Sequence, residues 1–163
     1  MANLNKANGF RAAEFGANPE HEWVLAASQT IAVGDLVTFD AAGRVIIATA
    51  SSAKILGSAN TPCTSSTVGD AIKVFDDPDQ IFVAQISTGA LTDPYTTMTL
   101  STAFDIVATT GGLYINAAAT SIDIIQVLHP ATEPATGVDS VVGAYQKVHC
   151  RINRAKHCLG GVA

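Results

Sequence analysis

The chain has 163 residues, of which 48% are hydrophobic and only 14% are charged, and its formal net charge is −5. An average soluble domain has about 25% charged residues, so Ser and Thr supply much of the polarity here. The length suits one domain. The composition excludes a wholly disordered chain, and no apolar run approaches the ~20 residues that a membrane-spanning helix needs.

The start of the chain and its cysteines indicate where the protein is made. No apolar stretch typical of a secretory signal occurs in the first 16 residues. The three cysteines (Cys63, Cys150 and Cys158) are an odd number, which argues against a disulfide framework and favours a reducing cytosol. The acidic net charge disfavours general nucleic-acid binding.

Residues 1–20 differ from the rest of the chain. They contain three Asn before residue 9, and their hydrophobic residues Leu4, Phe10 and Phe15 follow no sustained period. Such a segment is either a frayed terminus or an arm that becomes ordered on a partner. We therefore predict an extended N-terminal arm over residues 1–20 and a single domain over residues 21–163.

From residue 22 onward, short runs rich in β-branched residues alternate with turn residues such as Gly34-Asp35 and Asp77-Pro78. Several of these runs alternate apolar and polar residues, as half-buried strands do. The fold class predicted is mainly β, a compact antiparallel β-barrel or sandwich. The ten predicted strands are Trp23–Ala27, Leu36–Phe39, Val45–Ala50, Ile55–Ser58, Ala71–Phe75, Ile81–Ile86, Phe104–Ala108, Leu113–Ile115, Ile122–Leu128 and Val141–Ile152.

Motifs of common enzyme classes are missing from the sequence. It has neither a P-loop nor a Gly-x-Ser-x-Gly nucleophile elbow. His21-Glu22 begins like a zinc-protease helix, but Leu25 occupies the position of the second histidine. We therefore predict no catalytic residues, no cofactor and no metal site.

Asp76, Asp77 and Asp79 form the densest acidic cluster, with Pro78 among them. Three carboxylates could bind Ca²⁺ or Mg²⁺, but the alternating ligands and central glycine of an EF-hand loop are absent. A turn between two strands explains the cluster more simply, because Pro presets φ and Asp accepts backbone hydrogen bonds. We favour the turn.

Two His-Cys pairs lie near the end of the chain: His149-Cys150 and His157-Cys158. Two histidines and two cysteines could bind structural zinc, and the cysteines could form a disulfide. Residues eight apart in one strand are about 26 Å apart, however, so either site requires a sharp reversal near Asn153-Arg154. We favour unrelated roles for the four side chains.

The C-terminal stretch also collects basic residues, notably Arg151, Arg154 and Lys156. A solvated strand end explains them, and so does contact with an acidic surface on a partner or a second copy. No aromatic residues alternate with them in the way that would stack nucleic-acid bases.

Several motifs in this order resemble those of the capsid decoration, or cement, proteins of tailed bacteriophages. The start, Met1-Ala2-Asn3 and then Asn8-Gly9-Phe10-Arg11, is similar to their Asn-rich opening and Gly-Phe-Arg motif, with Ala12 in place of the usual Pro. Gly34-Asp35-Leu36-Val37 resembles their entry into a strand. The run from Val74 to Gln85 resembles their Asp-Pro turn, and the run from Lys147 to Asn153, with His157, resembles their last strand.

The resemblance implies a β-tulip-like barrel with an N-terminal arm. It implies a structural virion protein that sits as a homotrimer on the outer capsid surface and clamps adjacent major capsid subunits after the shell expands. The partners it implies are the major capsid protein and other copies of this chain, with no nucleic acid, membrane or small-molecule substrate. The protein would be made in the host cytoplasm and reside on the virion.

Within this resemblance, the residues expected to bind the capsid are Leu4, Phe10, Arg11 and Phe15. Phe10 would fill an apolar pocket on the capsid protein, and Arg11 would pair with an acidic group there. The alternative for Phe10 is packing back onto its own barrel. Trp23, the only tryptophan, is expected in the barrel core or in the trimer interface.

Two other functions are compatible with a β-rich chain. One is a different viral surface module, such as a head-fibre base or a receptor-binding protein, which would need an exposed recognition patch. The other is a small β-barrel hydrolase, which would need Mg²⁺ at Asp76–Asp79 together with a phosphate-binding backbone loop.

Overall fold

The computed structural model describes residues 9–13, 18–86, 103–109, 112–116, 124–133, 138–139 and 145–160. Its strands are β1 (Arg11–Ala12), β2 (His21–Val24), β3 (Leu36–Phe39), β4 (Val45–Ile47), β5 (Gly57–Ala59), β6 (Ala71–Phe75), β7 (Phe82–Gln85), β8 (Ala103–Thr109), β9 (Gly112–Asn116), β10 (Ile125–Pro130), β11 (Thr132–Glu133), β12 (Val138–Asp139) and β13 (Lys147–Ile152). A 3-10 turn over Arg154–Lys156 follows the last of these strands.

The strands form two main antiparallel sheets and a small hairpin. One sheet has six strands in the order β1-β7-β13-β10-β8-β9, and the other has five in the order β2-β6-β5-β3-β4. β11 and β12 pair with each other. The mainly β fold is therefore confirmed, and of the two predicted architectures it is the sandwich that fits.

The sheets do not close into a barrel, although each is curled. A single parallel bridge joins Leu25, after β2, to Val45 at the other side of the five-stranded sheet. A similar bridge joins Ile86, after β7, to Ile115 of β9. Within the residues that the structure describes, these two bridges are isolated pairs rather than continuous ladders, so the sheets do not close and the barrel alternative is wrong.

Two apolar clusters hold the sheets together. The larger one takes residues from both sheets, and the smaller one lies against the five-stranded sheet. β3 contributes to both, because Leu36 points to the larger cluster and Val37 to the smaller. The larger cluster consists of Phe10, Leu36, Ala48, Ile55, Phe82, Ala84, Ile86, Ile106, Ile115, Ile124, Ile125, Val127, Val148, Cys150 and Ile152.

The smaller cluster consists of Leu25, Ile31, Val37, Val45, Leu56, Ala59, Ile72 and Val74. β6 shows why its sequence makes a strand here, since Ile72 and Val74 are buried while Ala71 and Lys73 are exposed. In the described part of the chain, no helix is long and apolar enough to cross a membrane.

Residues 9–13 belong to the sandwich. β1 pairs with β7, with Arg11 opposite Val83 and Ala12 opposite Phe82. The predicted boundary at residue 20 therefore does not separate the N-terminal segment from the body. Residues 1–8 and 14–17 of the predicted arm lie outside the described residues.

Candidate partner-binding site

The N-terminal segment is attached to the body through two glycines. Gly9 has a φ of +67°, and a Cβ at this position would lie 2.3 Å from the carbonyl oxygen of Gly34. Phe10 then donates its backbone N–H to the same oxygen at 2.7 Å. Only glycine permits both the positive φ and this close approach of two backbones.

Phe10 itself is buried in the protein's own core, with 1% of its surface exposed. Its ring packs edge-to-face against Phe82, with centroids 6.4 Å apart, and its carbonyl oxygen accepts a hydrogen bond from Ser58 Oγ at 2.6 Å. The role expected for Phe10 in a capsid pocket is therefore corrected. The ring anchors the N-terminal segment to the body, because burying an aromatic side chain is strongly favourable.

The other three expected contact residues differ in position. Arg11 is exposed on β1, and its positive charge acts on the buried carboxyl of Asp35. Burial raises the pKa of Asp35, while the Ala32 N–H and the charge of Arg11 oppose that shift. Leu4 and Phe15 lie outside the described residues.

The acidic cluster is a turn that carries the chain from β6 in one sheet to β7 in the other. Asp77 Oδ1 accepts the backbone N–H of Asp79 at 2.8 Å, and Gln80 N–H donates to the Asp77 carbonyl oxygen at 3.0 Å. These are the hydrogen bonds expected of an Asp-Pro turn, so that prediction is confirmed.

Asp76 fixes this turn to β2. Its buried carboxylate accepts hydrogen bonds from His21 Nδ1 at 2.7 Å and from Trp23 Nε1 at 2.8 Å. The hydrogen bond to Asp76 raises the pKa of His21. Trp23 is half-buried and packs against the smaller cluster and Phe39, with ring centroids 5.2 Å apart, which agrees with its expected place in the core.

The C-terminal segment also reaches the turn. Arg154 binds Asp79 through two hydrogen bonds, with Nε 2.9 Å from Oδ1 and a second nitrogen on Oδ2. The ion pair lowers the pKa of Asp79. Arg154 thus has an acidic partner within its own chain, and Arg151 donates to Gln126 at 2.7 Å.

Four segments that are distant in sequence therefore meet at one place, which we call the motif junction. It consists of residues 9–13, Gly34-Asp35, the turn over residues 76–81, and Arg154. The Ala13 N–H, which donates to the Ile81 carbonyl oxygen at 2.9 Å, links the first segment to the turn. The motifs were recognisable in the sequence, but no signal there indicated that they touch.

The two His-Cys pairs do not assemble into a site. His149 and Cys150 are consecutive on β13, so their side chains point to opposite faces, and Cys150 lies in the larger core cluster. All three cysteines are free, and burial raises the pKa of the Cys150 thiol. Of the residues that the structure describes, no three His, Cys, Asp or Glu side chains are grouped so as to hold a metal ion.

Sequence reasoning missed a different pair, His129 and His149. They lie opposite each other on β10 and β13, with their Nδ1 atoms 3.2 Å apart. Their separation of 20 residues gives no motif, and their meeting depends on a register shift within β10.

Comparison with known proteins identifies no relative of this chain. No family model, no curated protein and no solved structure matches it.

Proposed function

We propose that the chain is a structural virion protein that binds the outer surface of an expanded phage capsid. In this proposal it acts as a homotrimer and stabilises the shell by clamping adjacent major capsid subunits. The observation that carries this proposal is the motif junction. The segments in which the sequence resembles capsid decoration proteins are also the segments that contact one another around the N-terminal strand.

A clamp needs a binding segment attached to a rigid body, and the junction supplies that attachment. Gly9 and Phe10 fix the point at which residues 1–8 are attached to the body. Force on those residues is transferred to β7 through β1 and to the larger core cluster through Phe10. We therefore assign capsid contact to residues 1–8, including Leu4, and to Arg11 and Phe15.

The edges of the sandwich support the same proposal. β1 is an outer strand of the six-stranded sheet, and β2, the next strand along the chain, is an outer strand of the five-stranded sheet. Outer strands can accept an added strand from another protein, which provides backbone hydrogen bonds without a preformed pocket. Such pairing with a neighbouring capsid subunit would hold the body against the lattice.

The stabilising effect would follow from mass action. A protein that binds only the expanded shell lowers the free energy of that state, by about 2.7 kcal/mol per site when its free concentration is 100 times Kd. Many equivalent sites on a closed shell multiply this effect.

The test is to add the purified protein to undecorated, expanded heads of its parent particle. We expect saturable binding and a higher melting temperature of the heads. A variant that lacks residues 1–8 should bind more weakly while the free protein keeps its own melting temperature, because the anchor begins at Gly9.

Val68→Ser provides a matched control. Val68 is an exposed apolar residue, 55% exposed, in the turn before β6 and therefore at the opposite end of that strand from the junction. This variant should bind as the wild type does. Absence of binding by the wild type contradicts the proposed function, whereas unchanged binding after removal of residues 1–8 contradicts only the role of that segment.

A further inference from the structure

A second candidate site lies on the six-stranded sheet, on the face opposite the larger core cluster. The register places four side chains in one row across the strands: Arg11, Val83, His149 and His129. His149 therefore has Val83 on one side and His129 on the other. The two imidazoles are held on adjacent strands, with ring centroids 4.4 Å apart.

A β-bulge brings this pair together. Val127 is opposite Cys150, but His129, two residues later, is opposite His149, only one residue away on the partner strand. Leu128 is the additional residue. In a regular strand, residues 127 and 129 would both face the core. The bulge therefore turns His129 to the other face of the sheet.

We propose that His129 and His149 form a binding site for a divalent transition-metal ion such as Ni²⁺, Zn²⁺ or Cu²⁺. These ions accept imidazole nitrogen as a ligand. The protein would supply two ligands through the Nδ1 atoms, and water would complete the coordination. This site is independent of the proposed capsid function.

The distance between the two nitrogens fits a chelate. Two nitrogens about 2.0–2.1 Å from one ion are about 3.3–3.4 Å apart at a tetrahedral angle and about 2.9 Å apart at a right angle. The observed separation of 3.2 Å lies between these values. Binding requires the Nδ1 lone pairs of both histidines. The histidine that donates its Nδ1 proton to the other ring must therefore change to the tautomer that carries the proton on Nε2.

The burial of the two rings also suits such a site. His149 is 7% exposed and held by the sheet, whereas His129 is exposed and open to solvent. The buried ring restricts the position of the ion, and the exposed ring gives access to the ion and to its water ligands. Lys147 and Arg151 lie on the same face of β13 as His149, and their charges weaken the affinity for a cation.

The test is a calorimetric titration of the full chain with Ni²⁺ alone. We expect one ion per chain, and binding about 10- to 100-fold weaker in His129→Gln and in His149→Gln, because each removes one arm of a chelate. His21→Gln is the matched control, since His21 is an exposed histidine outside the site, and it should bind as the wild type does.

Nuclear magnetic resonance of the wild type covers the case in which a variant fails to fold. Paramagnetic Ni²⁺ should broaden the signals of His129, His149 and the neighbouring Val83 before others. Failure to bind Ni²⁺ overturns the proposal. Broadening centred on His21 or on a cysteine also overturns it, and so does wild-type affinity for Ni²⁺ in His129→Gln and His149→Gln.

Discussion

Phe10 shows how a single side chain can join a terminal segment to a domain. Its ring is buried against Phe82 and its backbone is hydrogen-bonded on both sides, to Gly34 and to Ser58. Replacing a buried Phe by Ala costs about 3–5 kcal/mol, because it removes apolar contacts and leaves a cavity.

We accordingly predict that Phe10→Ala lowers the free energy of unfolding by about 3–5 kcal/mol. Denaturant unfolding followed by tryptophan fluorescence measures the change. An exposed apolar residue, as in Val68→Ser, serves as the control and should change stability by less than about 0.5 kcal/mol. A small loss in Phe10→Ala would show that the ring is not part of the core.

Gly9 and Gly43 permit a clean comparison of two effects of glycine. Both have positive φ, +67° and +74°, but a Cβ at Gly9 would meet the Gly34 backbone, whereas a Cβ at Gly43 would meet nothing within 4 Å. Gly43→Ala therefore measures the dihedral strain alone. We predict that Gly9→Ala is more destabilising than Gly43→Ala by at least about 1 kcal/mol, as measured by thermal unfolding. Equal losses of stability in the two variants would show that the close approach of Gly9 to the Gly34 backbone does not contribute to the cost of the substitution.

At the scale of elements, the strands were easier to predict than their partners. Each of the ten predicted strands overlaps an observed one, and Leu36–Phe39 and Ala71–Phe75 have the predicted bounds. Apolar alternation and turn residues are local signals, so they suffice for this. β1 was missed because two residues cannot establish a period, and its pairing with β7 depends on Phe10 and Gly9 rather than on strand propensity.

The candidate site was predictable only in its parts. The turn hydrogen bonds of Asp77 and Asp79 are local and follow from sequence. The partners of Asp76 and Arg154 are 53 to 75 residues away along the chain, and such pairs are decided by tertiary structure. The histidine pair required knowledge of a bulge, which changes the register without a mark in the sequence.

The N-terminal strand leads to a prediction on truncation. Removing residues 1–8 should leave the free energy of unfolding nearly unchanged, because the anchoring contacts begin at Gly9. Removing residues 1–13 should lower it by about 3 kcal/mol or more, since Phe10 and β1 are then lost. Thermal and denaturant unfolding of the two truncated proteins measures this difference, and equal stabilities would contradict the assignment of Phe10 as the anchor.

The protonation of His21 and His157 should make the free energy of unfolding of the whole molecule largest near pH 6.5. The hydrogen bond to Asp76 raises the pKa of His21 above 6.5, so its stabilising effect is complete below pH 6.5 and is lost as the pH rises through the folded-state pKa. Burial lowers the pKa of His157 below 6.5, against the nearby charges of Asp76 and Asp77. Stability therefore falls as the pH decreases from 6.5, because the unfolded chain binds the proton first.

We predict that substituting each histidine in turn separates the loss of stability above pH 6.5 from the loss below it. His21→Gln should reduce the loss of stability above pH 6.5, and His157→Asn should reduce the loss below pH 6.5. Denaturant unfolding between pH 5 and pH 9 measures both slopes. The ion pair of Asp79 acts at lower pH, since the reference pKa of that group is 3.8. Unchanged slopes in both variants would contradict the assigned proton linkage.

The position of β13 in the six-stranded sheet has a consequence for synthesis on the ribosome. The five-stranded sheet uses only residues 21–75, whereas β13, near the end of the chain, lies between β7 and β10 in the middle of the other sheet. A growing chain can therefore pair the strands of the first sheet while β7 still lacks its central neighbour. The exposed edge of β7 would persist until β13 has been synthesised, and during that interval the nascent chain is open to pairing with other copies.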